Sequence, residues 1–131
     1  MLLSACNNSK YDLENLVPQE YHKILYVNNS GKQEMTLYDT GEDYTYTLSV
    51  IKTGSDPTLT ANAQINVLSQ EEVDQLYSNP EAVNYKVLSE ESFSLETADL
   101  VFTSEDHSKS VNVSVNSTKV KALIESNPEA K

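Results

Sequence analysis

The sequence predicts an all-β domain, a sandwich or barrel of short antiparallel strands with one or two short helices. Three observations carry that expectation. Apolar and polar residues alternate with period two through several segments, as strands with one face in a core and one in water require. Turn-forming clusters separate these segments at close spacing. The chain has 131 residues, 38% hydrophobic and 22% charged, the size and balance of one globular domain. A chain of this length buries about 68% of its unfolded surface and needs no disulfide or metal to fold. No internal repeat is visible, and no second domain fits.

Residues 7–20 lack periodicity, contain Pro18 and read as a tether, so the domain is expected over residues 21–131. Ile24-Leu25-Tyr26-Val27 is a short apolar strand, and Asn28-Asn29-Ser30-Gly31 is turn chemistry tolerant of positive φ. Gln33 to Tyr38 reads as a second strand with Met35 and Leu37 on one face, closed by the turn Thr40-Gly41-Glu42-Asp43. Tyr44 to Lys52 gives the clearest alternation: Tyr44, Tyr46, Leu48 and Val50 on one face, Thr45, Thr47 and Ser49 on the other. Gly54-Ser55-Asp56-Pro57 breaks it, and Ala63, Ile65 and Val67 resume it.

Ser69-Gln70-Glu71-Glu72 matches a capping box, in which the Ser hydroxyl and the Glu carboxylate satisfy each other's free backbone donors. Val73, Leu76 and Tyr77 follow as an apolar helical stripe that Asn79-Pro80 ends. Strands return at Tyr85 to Leu88, Phe93 to Leu95 and Leu100 to Phe102. After the polar turn Ser104 to Ser108, Lys109 to Val115 alternates, with Val111, Val113 and Val115 inward. Val120, Leu123 and Ile124 sit at helical spacing in Ser117 to Ser126. The expected core is Leu48, Val50, Ile65, Val67, Phe102, Val111 and Val113.

The amino terminus reads as an address. Leu3-Ser4-Ala5-Cys6 resembles a bacterial lipobox, in which a lipid joins the Cys thiol and the chain is cut just before it. Small residues before the cleavage point suit a peptidase pocket, and the polar run Asn7 to Asp12 suits a tether. Residues 1–6 are therefore read as the remnant of a lipoprotein signal, and Cys6 as the lipid attachment site. A complete signal needs a basic start and an apolar stretch of about 7–15 residues. With five residues before Cys6, the reading implies a gene start further upstream or a fragment. The expected address is the outer membrane or cell surface, with the lipid on Cys6 holding the membrane.

Charge narrows the function. Nine basic residues, all Lys, face 20 acidic ones, for a net charge of -11. Nucleic-acid binding requires clustered cations that replace counterions on phosphates, so no nucleic-acid partner is expected. Without Arg the chain also lacks the planar fork that grips phosphate or carboxylate bidentately. His22 and His107 are the only imidazoles, and no Gly-x-Ser-x-Gly elbow accompanies them. The acidic pairs Glu71-Glu72, Glu90-Glu91 and Glu105-Asp106 suit helix starts and turns better than the opposed carboxylates of a glycosidase. Loops at Thr40-Gly41-Glu42-Asp43 and Glu105-Asp106 lack EF-hand spacing, and zinc lacks its Cys and His ligands. No catalysis, cofactor or metal is expected.

Eight Tyr and no Trp remain as an unusual aromatic balance. Tyr offers sugars an aromatic face and a hydroxyl, although strands also favour Tyr for packing alone. Tyr21, Tyr38 and Tyr85 are the outward-facing candidates for glycan contact. The leading expectation is a non-catalytic spacer or docking module; a carbohydrate-binding module using exposed Tyr is the alternative.

Three segments in order carry a resemblance: Glu20-Tyr21-His22-Lys23-Ile24-Leu25-Tyr26; Val83-Asn84-Tyr85-Lys86-Val87-Leu88; and Leu100-Val101-Phe102, a polar turn, then Ser110 to Val115. Residues 18–131 resemble the amino-terminal domain of Bacteroidetes surface lipoproteins, domain-of-unknown-function family 1735. The resemblance implies an immunoglobulin-like antiparallel β-sandwich behind a lipobox. It also implies a downstream domain of the same chain as partner, in a polysaccharide-utilisation context. In that family a Tyr-x-Leu-Pro-Leu strand follows the segment like Lys121-Ala122-Leu123-Ile124. The resemblance therefore implies a domain lacking its last strand, with Lys109 to Val115 left as a free ladder edge.

Overall fold

The computed structural model describes residues 17–77 and 85–129, where the alternating segments pair into two sheets. The strands are β1 (Ile24–Val27), β2 (Asp43–Thr53), β3 (Ala61–Gln64), β4 (Phe93–Leu95), β5 (Asp99–Phe102) and β6 (Ser108–Asn116). One sheet has the order β1-β2-β6-β4, and the other pairs β3 with β5. The β1–β2, β3–β5 and β4–β6 ladders are antiparallel. Two helices, α1 (Gln70–Tyr77) and α2 (Ser117–Ser126), complete an all-β, sandwich-like architecture. Among the described residues, no helix is long and apolar enough to cross a membrane.

The described residues divide into two compact units: one drawn from residues 17–30, 49–64 and 99–110, the other from residues 31–48, 65–77, 85–98 and 111–129. In the first, Val50, Ala61, Leu100 and Phe102 are buried, drawn from both sheets. The ladder sets Ala61 opposite Phe102, so a small residue stands across from the largest buried side chain. The β1 ladder runs from Ile24 opposite Thr53 to Val27 opposite Val50. Asn29 at φ 55° and Gly31 at φ 98° then turn the chain, as the Asn and Gly there predict.

Beyond β2 the chain folds back on the segment before β1. Ser55 N donates to Tyr21 O and Asp56 N to His22 O, at 3.1 and 2.9 Å. Gly54, at φ 122°, makes this approach possible: a Cβ there would stand 2.3 Å from His22 O. His22 is itself tied down, with Nε2 2.9 Å from Val17 O.

Lys52 was not expected inside. It is only 2% exposed, because the period of β2 carries position 52 to the same face as Val50. Its ammonium donates to Leu59 O at 2.8 Å and Thr103 O at 2.6 Å. These charge-assisted bonds offset the loss of water around the cation.

In the second unit, Val111 and Val115 are buried with Ser92 and Ser117, while Val113 is half-buried. The capping box forms as expected: Ser69 N donates to Glu72 Oε2 at 2.8 Å, and Glu72 N to Ser69 Oγ at 3.2 Å. Asn116 caps α2 by accepting from Lys119 N at 3.1 Å.

Four expectations fail. Gln33 to Tyr38 is not a strand; Asp39 beside it instead accepts from Thr118 Oγ1 and Lys121 Nζ, at 3.0 and 2.8 Å. Tyr85 to Leu88 is not a strand either, because the Gln70 side chain takes the ladder's role: its Oε1 accepts from Val87 N and its Nε2 donates to Tyr85 O. Val67 is 54% exposed rather than in the core. Its strand starts earlier, at Ala61, and ends at Gln64, opposite the first residue of β5. Finally, β6 is no free edge: it lies between β2 and β4. The segment Phe93–Leu95, which precedes β6 in the chain, fills the position beside Val113–Val115.

Candidate functional site

The second unit contains a cleft of about 480 Å³, within the range of roughly 300–1000 Å³ in which small-molecule sites fall. Its walls are built from three pieces of chain. Helix α1 supplies Val73 and Tyr77, the strip after it supplies Tyr85, Lys86 and Val87, and the turn after β1 supplies Gly31 and Lys32. The capping box starts α1, which puts Val73 and Tyr77 four residues apart on one helix face.

The opposite wall is held by one side chain. Gln70 Nε2 donates to both Asp74 Oδ1 and Tyr85 O at 2.8 Å, and Oε1 accepts from Val87 N at 2.9 Å. An amide group has two donors and an acceptor, so Gln70 uses all its hydrogens and fixes the backbone on both sides of Lys86.

Val73 and Val87 line the cleft with apolar side chains, and Tyr77 and Tyr85 add two aromatic rings. Two lysines, Lys32 and Lys86, line it as well. Lys32 Nζ pairs with Glu34 Oε1 at 2.9 Å. The hydrogen bond and charge of Glu34, with a smaller contribution from Tyr85, hold the Lys32 ammonium above its ordinary pKa. Lys32 and Tyr85 line the same cleft.

The three tyrosines singled out in the sequence do not share this place. Tyr85 lines the cleft and is half-buried. Tyr38, in the same unit, is 68% exposed and is not among the lining residues. Tyr21 belongs to the first unit, at the end of a 3-10 turn, Gln19–Tyr21. Tyr77 was expected to pack as part of an apolar stripe, yet it is 59% exposed. The signal that could have found it is its position, in the last turn of α1 just before Asn79-Pro80. Cys6 lies outside the described residues, as do Asn79-Pro80 and Val83-Asn84.

Several acids have structural work. Glu72 closes the capping box, and its backbone and side-chain bonds to Ser69 lower its pKa. Asp106 accepts from Thr103 N at 2.7 Å, and that bond holds its carboxyl below the usual aspartate value. Glu96 Oε2 accepts from Asn112 N at 3.0 Å. Among the described residues, no group of three or more His, Cys, Asp or Glu is placed to hold a metal ion.

Residues 4–129 match the model of a family described as a "-like, N-terminal domain". No curated protein matches the chain, and no solved structure does.

Proposed function

This chain belongs to a Bacteroides-type family of amino-terminal domains, and from that membership we propose that it is a non-catalytic module of a lipid-anchored cell-surface protein. In this reading it is a spacer or docking domain, and the family is domain-of-unknown-function family 1735. The observation that carries the reading is the match over residues 4–129, which begins inside the Leu3-Ser4-Ala5-Cys6 lipobox and runs through the whole described fold. The polar groups of the molecule support it. His22, Glu72, Glu96 and Asp106 are engaged in caps, turns and strand ends. The lipid on Cys6 would fix the module to the outer membrane, and the module would hold a downstream domain away from the surface, in a glycan-utilisation context.

Expression from the natural gene with labelled fatty acid tests the anchor. The protein should take up label and partition into detergent, and Cys6→Ser should abolish both. Label retained by the variant would refute the anchor.

The cleft favours a second reading, a carbohydrate-binding module. Tyr77 and Tyr85 supply ring faces for stacking and hydroxyls for hydrogen bonds, beside apolar Val73 and Val87 in a cleft of about 480 Å³. Glycan-array binding that Tyr85→Ala removes would support it, while a blank array from folded protein would leave the spacer.

A further inference from the structure

The charge of the cleft runs against the charge of the chain. Acidic residues outnumber lysines 20 to nine, yet among the described residues the cleft lining holds two lysines and no carboxylate. Both share the lining with the aromatic rings: Lys86 directly follows Tyr85 in the chain, and Lys32 lines the same cleft as Tyr77 and Tyr85. On a strongly acidic protein an anion is repelled in general, so a cleft whose described lining carries two ammonium groups and no acid is where one would settle.

We propose that this cleft binds an anionic saccharide, a sugar bearing a carboxylate or a sulfate ester, stacked between Tyr77 and Tyr85 with its charged group held by Lys86 and Lys32. The inference rests on the carbohydrate-binding reading of the same site and adds the chemical class of its ligand. Each part has a distinct task. The rings take the apolar C–H face of the sugar. Lys86 stands on backbone that the Gln70 bonds to Tyr85 O and Val87 N hold in place, so its ammonium is presented from a fixed main chain. Lys32 is shared with Glu34. An arriving carboxylate or sulfate competes with that exposed carboxylate for the same ammonium, which leaves Lys86 as the stronger contact. Lysine suits this ligand class as a compact charge that needs no bidentate geometry.

Affinity electrophoresis of the full chain separates the possibilities, with polygalacturonate as the carboxylate arm, chondroitin sulfate as the sulfated arm and dextran as the neutral arm. The expected result is retardation by at least one anionic glycan that weakens with added salt, and none by dextran. Lys86→Met should reduce affinity about tenfold, the worth of a charge-assisted hydrogen bond, and Tyr85→Ala should abolish binding. Far-UV circular dichroism and melting curves check that both variants remain folded. Retardation by dextran that is indifferent to Lys86→Met would overturn the anionic class and leave the carbohydrate reading intact. No retardation by any arm would overturn that reading as well. Anionic retardation that survives Tyr85→Ala would show simple ion exchange and overturn the site.

Discussion

Replacing Gly54 with alanine tests the close approach between the end of β2 and the chain before β1. Two separable effects add. The first is conformational: φ at Gly54 is 122°, and an L-residue there is strained by about 1–3 kcal/mol. The second is steric. The new Cβ would lie 2.3 Å from His22 O, 2.7 Å from its carbonyl carbon and 2.9 Å from Lys23 N. Carbon–oxygen contacts of this kind settle at about 3.3–3.6 Å, so the two segments must part by roughly 1 Å. All three atoms are main chain, and no rotamer change relieves them. Parting pulls on the bonds from Ser55 N to Tyr21 O and from Asp56 N to His22 O. Overpacking of this type costs about 1–3 kcal/mol, which brings the expected loss to about 2–6 kcal/mol. Gly31→Ala is the matched control, because φ there is 98° and nothing lies within 4 Å of the added carbon; only the first effect applies. Urea unfolding, followed by far-UV circular dichroism and tyrosine fluorescence, gives both losses from the midpoints at a common slope. Gly54→Ala should lose at least about 1 kcal/mol more than Gly31→Ala. Equal midpoints would show that the approach relaxes freely and that the steric argument is wrong.

Phe102→Ala should lose about 3–5 kcal/mol in the same assay, since Phe102 is completely buried; a loss under about 1 kcal/mol would mean that the core does not depend on it. Gln70→Ala should speed hydrogen exchange at the Val87 amide, whose acceptor it removes, while Gln70→Glu should keep an acceptor for that amide and lose the bonds to Tyr85 O and Asp74 Oδ1; unchanged exchange in the alanine variant would refute the clamp. The Asp106 carboxyl should titrate below its ordinary value of 3.8 in an NMR pH series. A carboxylate depressed in the folded state contributes stability that is present above the unfolded value and is lost as pH falls through the folded one. Asp106→Asn should therefore flatten the fall in stability below about pH 4, and an identical acid profile in the variant would count against the Thr103 bond as its cause.

How much of the fold was legible in the residues depends on how local each signal is. The alternation from Tyr44 to Val50 reports its own geometry, so β2 was legible nearly to its ends. The capping box is equally self-contained, and so are the turn residues Asn29 and Gly31. Pairing is not local. Ala63, Ile65 and Val67 alternate correctly, but the ladder ends at Gln64 because its partner β5 begins opposite it. Nearby the chain changes ladders: Glu96 N bonds to Asn112 O, while Ala98 O accepts from Ile65 N. Nothing in the residues themselves marks that exchange. Tyr85 to Leu88 was misread because a glutamine fifteen residues earlier satisfies its backbone. The cleft was half legible. Abundant Tyr pointed to Tyr85, whereas Tyr77 from α1, Lys32 from the turn after β1 and Lys86 from the strip after α1 join it only through the path of the whole chain.

Lys52 bears on folding fidelity. Alternation specifies a strand's register only modulo two: a slip of one residue turns every side chain to the wrong face, but a slip of two restores the pattern. Along β2, where Tyr44, Tyr46, Leu48 and Val50 recur on one face, a shift by two positions would exchange one apolar residue for another at little loss. Lys52 removes that degeneracy. Its ammonium is satisfied at Leu59 O and Thr103 O, and a two-residue shift would carry the cation away from both carbonyls while still pointing it inward, where an unpartnered charge is strongly disfavoured. A single buried cation thus makes the native alignment distinguishable from its nearest rivals, a discrimination that a wholly apolar inner face could not make.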